Sequence, residues 1–218
     1  MADNSQPLPR TLWVGLILFF GLLSLAYLLS FAELRSAQKK PLPVIGQIAD
    51  FTLTNEVGSV TTLADLTNHV WMADIIFTRC AGACPVMTRQ MRQLQDALPP
   101  ASSARLVSLT TDPDYDSPVI LQRYASHYAA NSNRWLFLTG TKAQLAGLAA
   151  GSLKLGATPV ASADQKTPVD LFIHSTIFVA VDKHARLRGI FETEGEGIDW
   201  TNVQPRILQT IAQLESEP

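Results

Sequence analysis

The chain has 218 residues, with 17 basic and 19 acidic side chains and a formal net charge of −2. This length allows one ordinary domain with a buried core plus an additional segment. The balanced charge argues against a nucleic-acid-binding protein, which needs a basic surface to neutralise phosphates. Two cysteines are too few for a disulfide-rich secreted scaffold, and their close spacing points instead to redox exchange or metal binding.

The N-terminal region contains an uncharged apolar run at residues 12–32. A helix of about 20 such residues crosses a hydrocarbon core of about 30 Å. Trp13 and Tyr27 lie near the two ends of the run, where aromatic rings favour the membrane interface. We therefore expect a tail at residues 1–11, a transmembrane anchor at 12–32 and a proline-stiffened tether at 33–47.

Two sequence features bear on the cleavage and the orientation of this anchor. Residues 30–32 resemble a cleavage site, so a removed signal peptide is the alternative, although signal h-regions are usually about 7–15 residues long. More basic residues follow the run than precede it, which by the positive-inside rule places the domain in the cytoplasm. The chemistry of the cysteine site, described next, favours the outside. We expect a single-pass protein of a bacterial cytoplasmic membrane with its domain in the periplasm.

Residues 48–218 alternate strand-like and helix-like patterns, which predicts a sheet covered by helices on both faces. In chain order we expect two strands around a turn at 55–59, a strand at 70–77, a helix at 85–98, a strand at 104–111, a helix at 117–130, a strand at 135–140, a helix at 141–151, an irregular stretch at 157–171, a hairpin at 175–192 and a helix at 202–214. The turn between the strand at 70–77 and the following helix carries both cysteines. In open α/β sheets, functional sites gather at that end of the strands.

The cysteine segment reads FTRCAGACP at residues 77–85. If the helix extends back to Cys80, both sulfurs lie on one helical face, close enough for a disulfide or a shared soft metal ion. A helix N-terminus and the adjacent Arg79 both favour thiolate, and thiolates suit Cu(I) or Zn(II). A pair of buried structural cysteines is the alternative. We expect Cys80 to be the more exposed sulfur, and the pair to interconvert between dithiol and disulfide.

This segment resembles the signature of the SCO/SenC family, and further matches follow in the family's order at 111–113, 116–118, 121–124, 138–140 and 174–175. The resemblance spans roughly residues 48–214 and includes the N-terminal anchor. It implies an α/β, thioredoxin-like mixed sheet flanked by helices, with copper bound by Cys80, Cys84 and His174. It also implies a role in assembling the copper site of cytochrome c oxidase. Family members are further discussed as thiol–disulfide reductases that prepare the copper-receiving cysteines.

Two departures from the family pattern leave the ligands in place but change their surroundings. Residues 81–83 are Ala-Gly-Ala where Pro-Asp-Val or a similar triplet is usual, and Ile173 replaces the usual Asp before the histidine. Neighbouring groups tune metal affinity and redox potential. We therefore expect a divergent branch with a shifted metal preference.

Four histidines compete for the third ligand position. His174 is expected to face the turn that carries the cysteines, because it precedes an apolar strand in a thioredoxin-like order of elements and matches the family. His69 lies in a predicted loop, His127 inside a predicted helix and His184 in a hairpin turn, so we expect them to be structural or solvated.

Asp74 interrupts the apolar strand six residues before Cys80. Many thioredoxins carry a buried acid at that spacing, which assists thiol deprotonation. We expect Asp74 either to relay a proton to Cys84, or to be paired with an arginine or lie at the sheet surface.

Three functions remain open, of which we favour the first. A copper carrier would use Cys80, Cys84 and His174 to serve the copper-bearing subunit of cytochrome c oxidase or another copper or thiol protein. A thiol–disulfide oxidoreductase or peroxidase would need only the cysteines, although the pair is not Cys-x-x-Cys and no Thr-x-x-Cys motif precedes it. A scaffold within an oxidase complex would need none of the three.

Overall fold

A computed structural model describes residues 10–37, 41–159, 172–174 and 176–217. It separates into two compact units, Met1–Pro41 and Leu42–Pro218. The first unit contains helix α1 (Arg10–Ala37), along which apolar side chains such as Trp13 and Tyr27 are exposed. Of the helices in the described ranges, none is long and apolar enough to span a membrane.

The second unit is built on an eight-stranded mixed sheet in the order β1-β10-β9-β4-β5-β6-β2-β3, with a separate two-stranded ribbon formed by β7 and β8. The strands are β1 (Gly46–Gln47), β2 (Thr52–Asn55), β3 (Val60–Thr62), β4 (Trp71–Ile76), β5 (Arg105–Thr110), β6 (Trp135–Thr139), β7 (Ala157–Pro159), β8 (Phe172–His174), β9 (Ile177–Val181) and β10 (Arg186–Glu192). The helices are α2 (Leu63–Leu66), α3 (Ala83–Ala97), α4 (Pro118–His127), α5 (Lys142–Ala146), a π-helix (Gly147–Ser152) and α6 (Trp200–Ser216).

Apolar clusters cover both faces of this sheet. Met87, Met91 and Leu94 of α3 recur with helical spacing and are fully buried in one cluster. Leu66 of α2 and Leu148 of the π-helix belong to a second cluster. Each element buries its apolar side against the sheet, which confirms the predicted layering.

Strand β4 lies in the interior of the sheet, and all six of its residues are buried. It pairs in parallel with β5 along its whole length and antiparallel with β9. Strands buried on both faces are usually continuous apolar runs, and β4 departs from that pattern only at Asp74. Because β4 and β5 end side by side, the loops at residues 77–82 and 111–117 are neighbours. We call residues 77–82 the cysteine loop.

A buried ionic cluster lies at the opposite end of the same sheet. Arg188 donates hydrogen bonds to Asp182 at 2.5 Å, to Glu217 at 2.8 Å and to the carbonyl oxygen of Leu42 at 2.6 Å. These bonds join the first residue of the unit to the β9–β10 turn and to the end of α6. Since β9 runs antiparallel to β4, the turn after β9 lies at the start of β4, away from the cysteines.

Two local predictions were wrong. Residues 157–171 are not irregular throughout, because Ala157–Pro159 forms β7 and pairs with β8; residues 160–171 and 175 lie outside the described part of the chain. The α-helix expected to continue to Gly151 instead widens into the π-helix, where the Leu153 N–H bonds to Leu148 O. The wider turn buries Leu148 and Leu153, which are five residues apart, on the same side.

Candidate metal and redox site

The cysteine loop connects the end of β4 to the start of α3. Helix α3 begins at Ala83 with Gly82 as N-cap, so Cys80 precedes the helix and Cys84 lies in its first turn. The Cys80 N–H donates to the Phe77 carbonyl oxygen at 3.1 Å, which closes a turn directly after the strand. Cys80 is half-buried and Cys84 is fully buried. The prediction that Cys80 is the more exposed sulfur is confirmed, whereas the helix does not reach back to it.

The two sulfurs lie close together without a disulfide. A hydrogen bond with the Cys80 side chain, followed by burial, raises the pKa of the Cys84 thiol, and the charge of Asp74 raises it further. A backbone hydrogen bond from Phe77 acts in the opposite direction. The expectation that the helix N-terminus favours thiolate is wrong for Cys84, because the hydrogen bond and burial raise the pKa of its thiol.

Asp74 is fully buried in β4, opposite Ser108 of β5. The sheet-surface alternative for this acid was wrong, because both faces of β4 are covered. Its charge acts on Cys84, so Asp74 belongs to the electrostatic surroundings of the pair. The proton relay stays a prediction.

The position of His174 is described only at the level of its backbone. It is the last residue of β8, where it pairs with Ala157, and it lies three residues before the apolar strand β9 begins at Ile177. Its imidazole lies outside the described side chains. Among the side chains that the structure does describe, no group of three Cys, His, Asp or Glu residues is arranged to hold a metal ion.

The other histidines occupy different surroundings. His69 is half-buried, and its Nδ1 lies 2.9 Å from the Ser103 carbonyl oxygen. His127 is exposed on α4, with its ring centroid 5.0 Å from that of Tyr128. His184 is exposed in the β9–β10 turn, as predicted.

The loop after β5, residues 111–117, lies beside the cysteine loop and contacts it through side chains. Arg79 donates to Asp112 Oδ2 through Nε at 3.2 Å and Nη2 at 2.5 Å, and its guanidinium carbon lies 4.2 Å from the ring centroid of Tyr115. The positive charge expected beside Cys80 is therefore paired with a carboxylate. Sequence reasoning missed this contact, because the partners are 33 residues apart.

The same loop supplies Asp116, which is fully buried. Its carboxylate accepts hydrogen bonds from the Thr78 N–H at 3.1 Å, the Thr78 hydroxyl and the Thr110 hydroxyl. Burial raises the pKa of Asp116, and these hydrogen bonds oppose the rise. The only sequence signal for Asp116 was its place in a family-like segment, which gave it no role.

The backbone of Cys84 is held by a side chain one turn further along α3. The Thr88 hydroxyl donates to the Cys84 carbonyl oxygen at 2.7 Å and lies 2.8 Å from the Tyr124 hydroxyl. Since one hydroxyl hydrogen serves the carbonyl, Tyr124 acts as the donor to Thr88. The backbone of Cys84 is thereby tied to α4.

The donor chemistry of the pair fits a soft metal ion. Two sulfurs within hydrogen-bonding reach of each other, one of them half-exposed, can supply two thiolates from one side. Such ligands suit Cu(I) or Zn(II) better than hard cations. The pair can equally form a disulfide, so the geometry supports both metal binding and redox exchange.

Solved structures with this architecture include BsSco, described as a member of the Sco family of cytochrome c oxidase assembly proteins with a disulfide switch. It matches with a TM-score of 0.66 and 24% identity, covering 82% of this chain and 100% of its own. ScoI of Bradyrhizobium japonicum with copper bound matches with a TM-score of 0.63 and 17% identity, covering 77% and 99%. The likeness confirms a mixed α/β, thioredoxin-like Sco fold.

Sequence comparisons agree with the fold. The SCO1 protein homolog of Bacillus subtilis (strain 168) is 37% identical over 99 residues, which are 45% of this chain and 51% of that protein. The match thus spans about half the length of this curated relative. A sequence profile of the family described as SCO1/SenC matches residues 43–208, most of the second unit. The chain therefore belongs to the SCO1/SenC family.

Proposed function

We propose that this protein binds copper and assists assembly of the copper centre of cytochrome c oxidase, with Cys80, Cys84 and His174 as ligands. The observation that carries the proposal is the hydrogen-bonded pair of a half-exposed and a buried cysteine after β4. Family membership and the copper-bound relative support the choice of metal.

The three proposed ligands have different roles. Cys80 and Cys84 supply the sulfur donors, and His174 would supply a neutral nitrogen donor that Cu(I) and Cu(II) both accept. Cu(II) prefers nitrogen and oxygen donors, so its binding depends more strongly on the histidine. The half-exposed position of Cys80 gives a partner protein access to the site, whereas Cys84 is shielded from solvent.

His174→Ala tests the proposal directly. We expect Cu(II) affinity to fall at least about 10–100-fold, with a smaller loss for Cu(I), while the Cys80–Cys84 disulfide still forms. In cells, oxidase maturation should fail. His184→Ala is the matched control, because it removes an exposed histidine at the far end of the sheet. Full oxidase assembly with a folded, well-expressed His174→Ala protein would contradict the carrier function.

A thiol–disulfide oxidoreductase that reduces cysteines of a partner, or that senses redox state, is the second candidate. The arrangement of Cys80 and Cys84 favours it, since a half-exposed thiol can attack a partner disulfide and the buried thiol beside it can resolve the mixed disulfide. That route needs no histidine. Oxidase assembly that survives His174→Ala but fails in Cys84→Ser would establish it.

We further propose that residues 12–32 anchor the protein in a bacterial cytoplasmic membrane, with the domain on the periplasmic side. The uncharged run and the exposed apolar side chains of α1 support membrane attachment, although α1, over the residues that the structure describes, does not meet the length and hydropathy of a spanning helix. The periplasmic side is proposed from the chemistry of the cysteine pair. A reporter fused after Pro218 should be active only in the periplasm, and the mature protein should retain residues 12–32. Cytoplasmic activity would show that the basic residues after the run set the topology.

A further inference from the structure

The loop at residues 111–117 holds the cysteine loop at two successive residues. Asp116 accepts hydrogen bonds from both the N–H and the hydroxyl of Thr78. It also accepts a bond of 2.5 Å from Thr110 at the end of β5. One buried carboxylate thereby joins the ends of two adjacent parallel strands.

Arg79, the next residue, is held by a separate set of contacts. Its guanidinium is paired with Asp112 and lies over the ring of Tyr115. Both residues that directly precede Cys80 are thus bound to one neighbouring loop. The Arg79 side chain is 36% exposed, whereas Asp116 is fully buried and its bonds reach a half-buried Thr78. Since buried polar groups bind their partners most strongly, Asp116 is the stronger of the two restraints.

We propose that Asp116 is a positioning residue for the cysteine pair: by holding Thr78, it fixes the backbone before Cys80 and favours the hydrogen-bonded dithiol over the disulfide. Asp116 acts through Thr78 and the two peptide bonds between Thr78 and Cys80. This role deepens the proposed function, because the pair that Asp116 positions is also the proposed copper site. It rests on the proposed function in that respect alone.

The thiol–disulfide equilibrium of the pair measures this role without metal. In a glutathione buffer, Cys80 and Cys84 lose two electrons and two protons as their S–S bond forms. Glutathione disulfide gains them and yields two glutathione molecules. If the restraint favours the dithiol, its removal shifts the equilibrium constant towards the protein disulfide.

The experiment compares four variants of the full chain. Asp116→Asn removes the charge that both Thr78 bonds use and should shift the equilibrium about tenfold towards the disulfide, the effect of losing a hydrogen bond to a charged group. Thr78→Val removes the hydroxyl bond but keeps the backbone N–H bond, so it should shift the equilibrium in the same direction by less. Thr78→Ser keeps the hydroxyl and should behave as wild type. Asp182→Asn alters a buried carboxylate at the opposite end of the sheet and should leave the equilibrium unchanged, which controls for general destabilisation.

An unchanged equilibrium in Thr78→Val, or an equal shift in Asp182→Asn, would overturn the positioning role. If Asp116→Asn does not fold, the Thr78→Val and Thr78→Ser pair decides alone. Binding of Cu(I) to the wild-type protein is measured in a separate titration. Failure to bind Cu(I) would contradict the proposed function, while the thiol–disulfide equilibrium would still decide the role of Asp116.

Discussion

Gly82 occupies the position at which the family usually carries an aspartate, and restoring that acid should reduce the reactivity of Cys80. A Cβ atom built on Gly82 lies 3.8 Å from Cys80 Sγ, with no closer neighbour in the part of the chain that the structure describes. Gly82 is exposed, so a carboxylate fits there without repacking. We therefore expect Gly82→Asp to fold normally and to place a negative charge near the sulfur.

The carboxylate oxygens of an aspartate extend beyond Cβ, so the size of the effect is set by how near the side chain brings its charge to the sulfur. Two unit charges about 4 Å apart interact by about 1 kcal/mol in water. That energy corresponds to a rise of about 0.7 in the pKa of the Cys80 thiol, or roughly a fivefold smaller thiolate fraction. The nearest cation of the cysteine loop, Arg79, is already paired with Asp112. It should therefore neutralise only part of the new charge.

Alkylation of Cys80 in the native protein, resolved from Cys84 by mass spectrometry, measures this change because the thiolate is the reacting form. Gly82→Asn is the matched control, with nearly the same size and no charge. The Asp variant should react more slowly than the Asn variant at low salt. The difference should shrink in about 1 M salt, where the Debye length is about 3 Å. Equal rates for the two variants would refute the reasoning.

Three other predictions concern buried charges. Arg188→Met should lower the free energy of unfolding by about 3–5 kcal/mol, because Asp182 would stay buried without its main cation. Urea denaturation measures this loss, and a loss below about 1 kcal/mol would contradict the prediction. Burial opposes ionisation of Asp182, but hydrogen bonds from Arg186 and Arg188 outweigh it and hold its pKa below the usual value. Its contribution to stability is therefore present above the unfolded pKa of about 3.9 and is lost as the pH falls through the lower folded pKa. The stability difference between wild type and Asp182→Asn should stay constant down to about pH 5 and shrink progressively below it. Asp74→Asn should lower the pKa of Cys84, because the charge of Asp74 raises it; an unchanged Cys84 titration would exclude the proton relay.

The order of strands and helices in the domain could be predicted because burial imposes a period on the sequence. Met87, Met91 and Leu94 show helical spacing because α3 packs one face on the sheet, and β4 is apolar because both of its faces are covered. The start of α3 could not be placed, since its N-cap Gly82 has no capping side chain. The π-helix likewise has no local sequence signature.

The chemistry of the site was less predictable than its location. The cysteine spacing and the family-like segment identified Cys80 and Cys84 correctly as neighbours at the end of a strand. The protonation preference of Cys84 was wrong, because it depends on burial and on a thiol partner rather than on helix position. The role proposed for Asp116 rests on a contact with Thr78 across 38 residues of chain, which leaves no local pattern to detect.

The sheet topology separates the cysteine site from Leu42, the first residue of the second unit. The cysteines follow the last residue of β4, whereas Leu42 is bound by Arg188 at the end where β4 begins. Six residues at about 3.3 Å each place these ends nearly 20 Å apart. Arg188 binds the carbonyl oxygen of Leu42 within the buried ionic cluster, so the first residue of the second unit is held at that end of the sheet. The half-exposed Cys80 lies at the opposite end, and a partner can therefore reach it without contacting the ionic cluster.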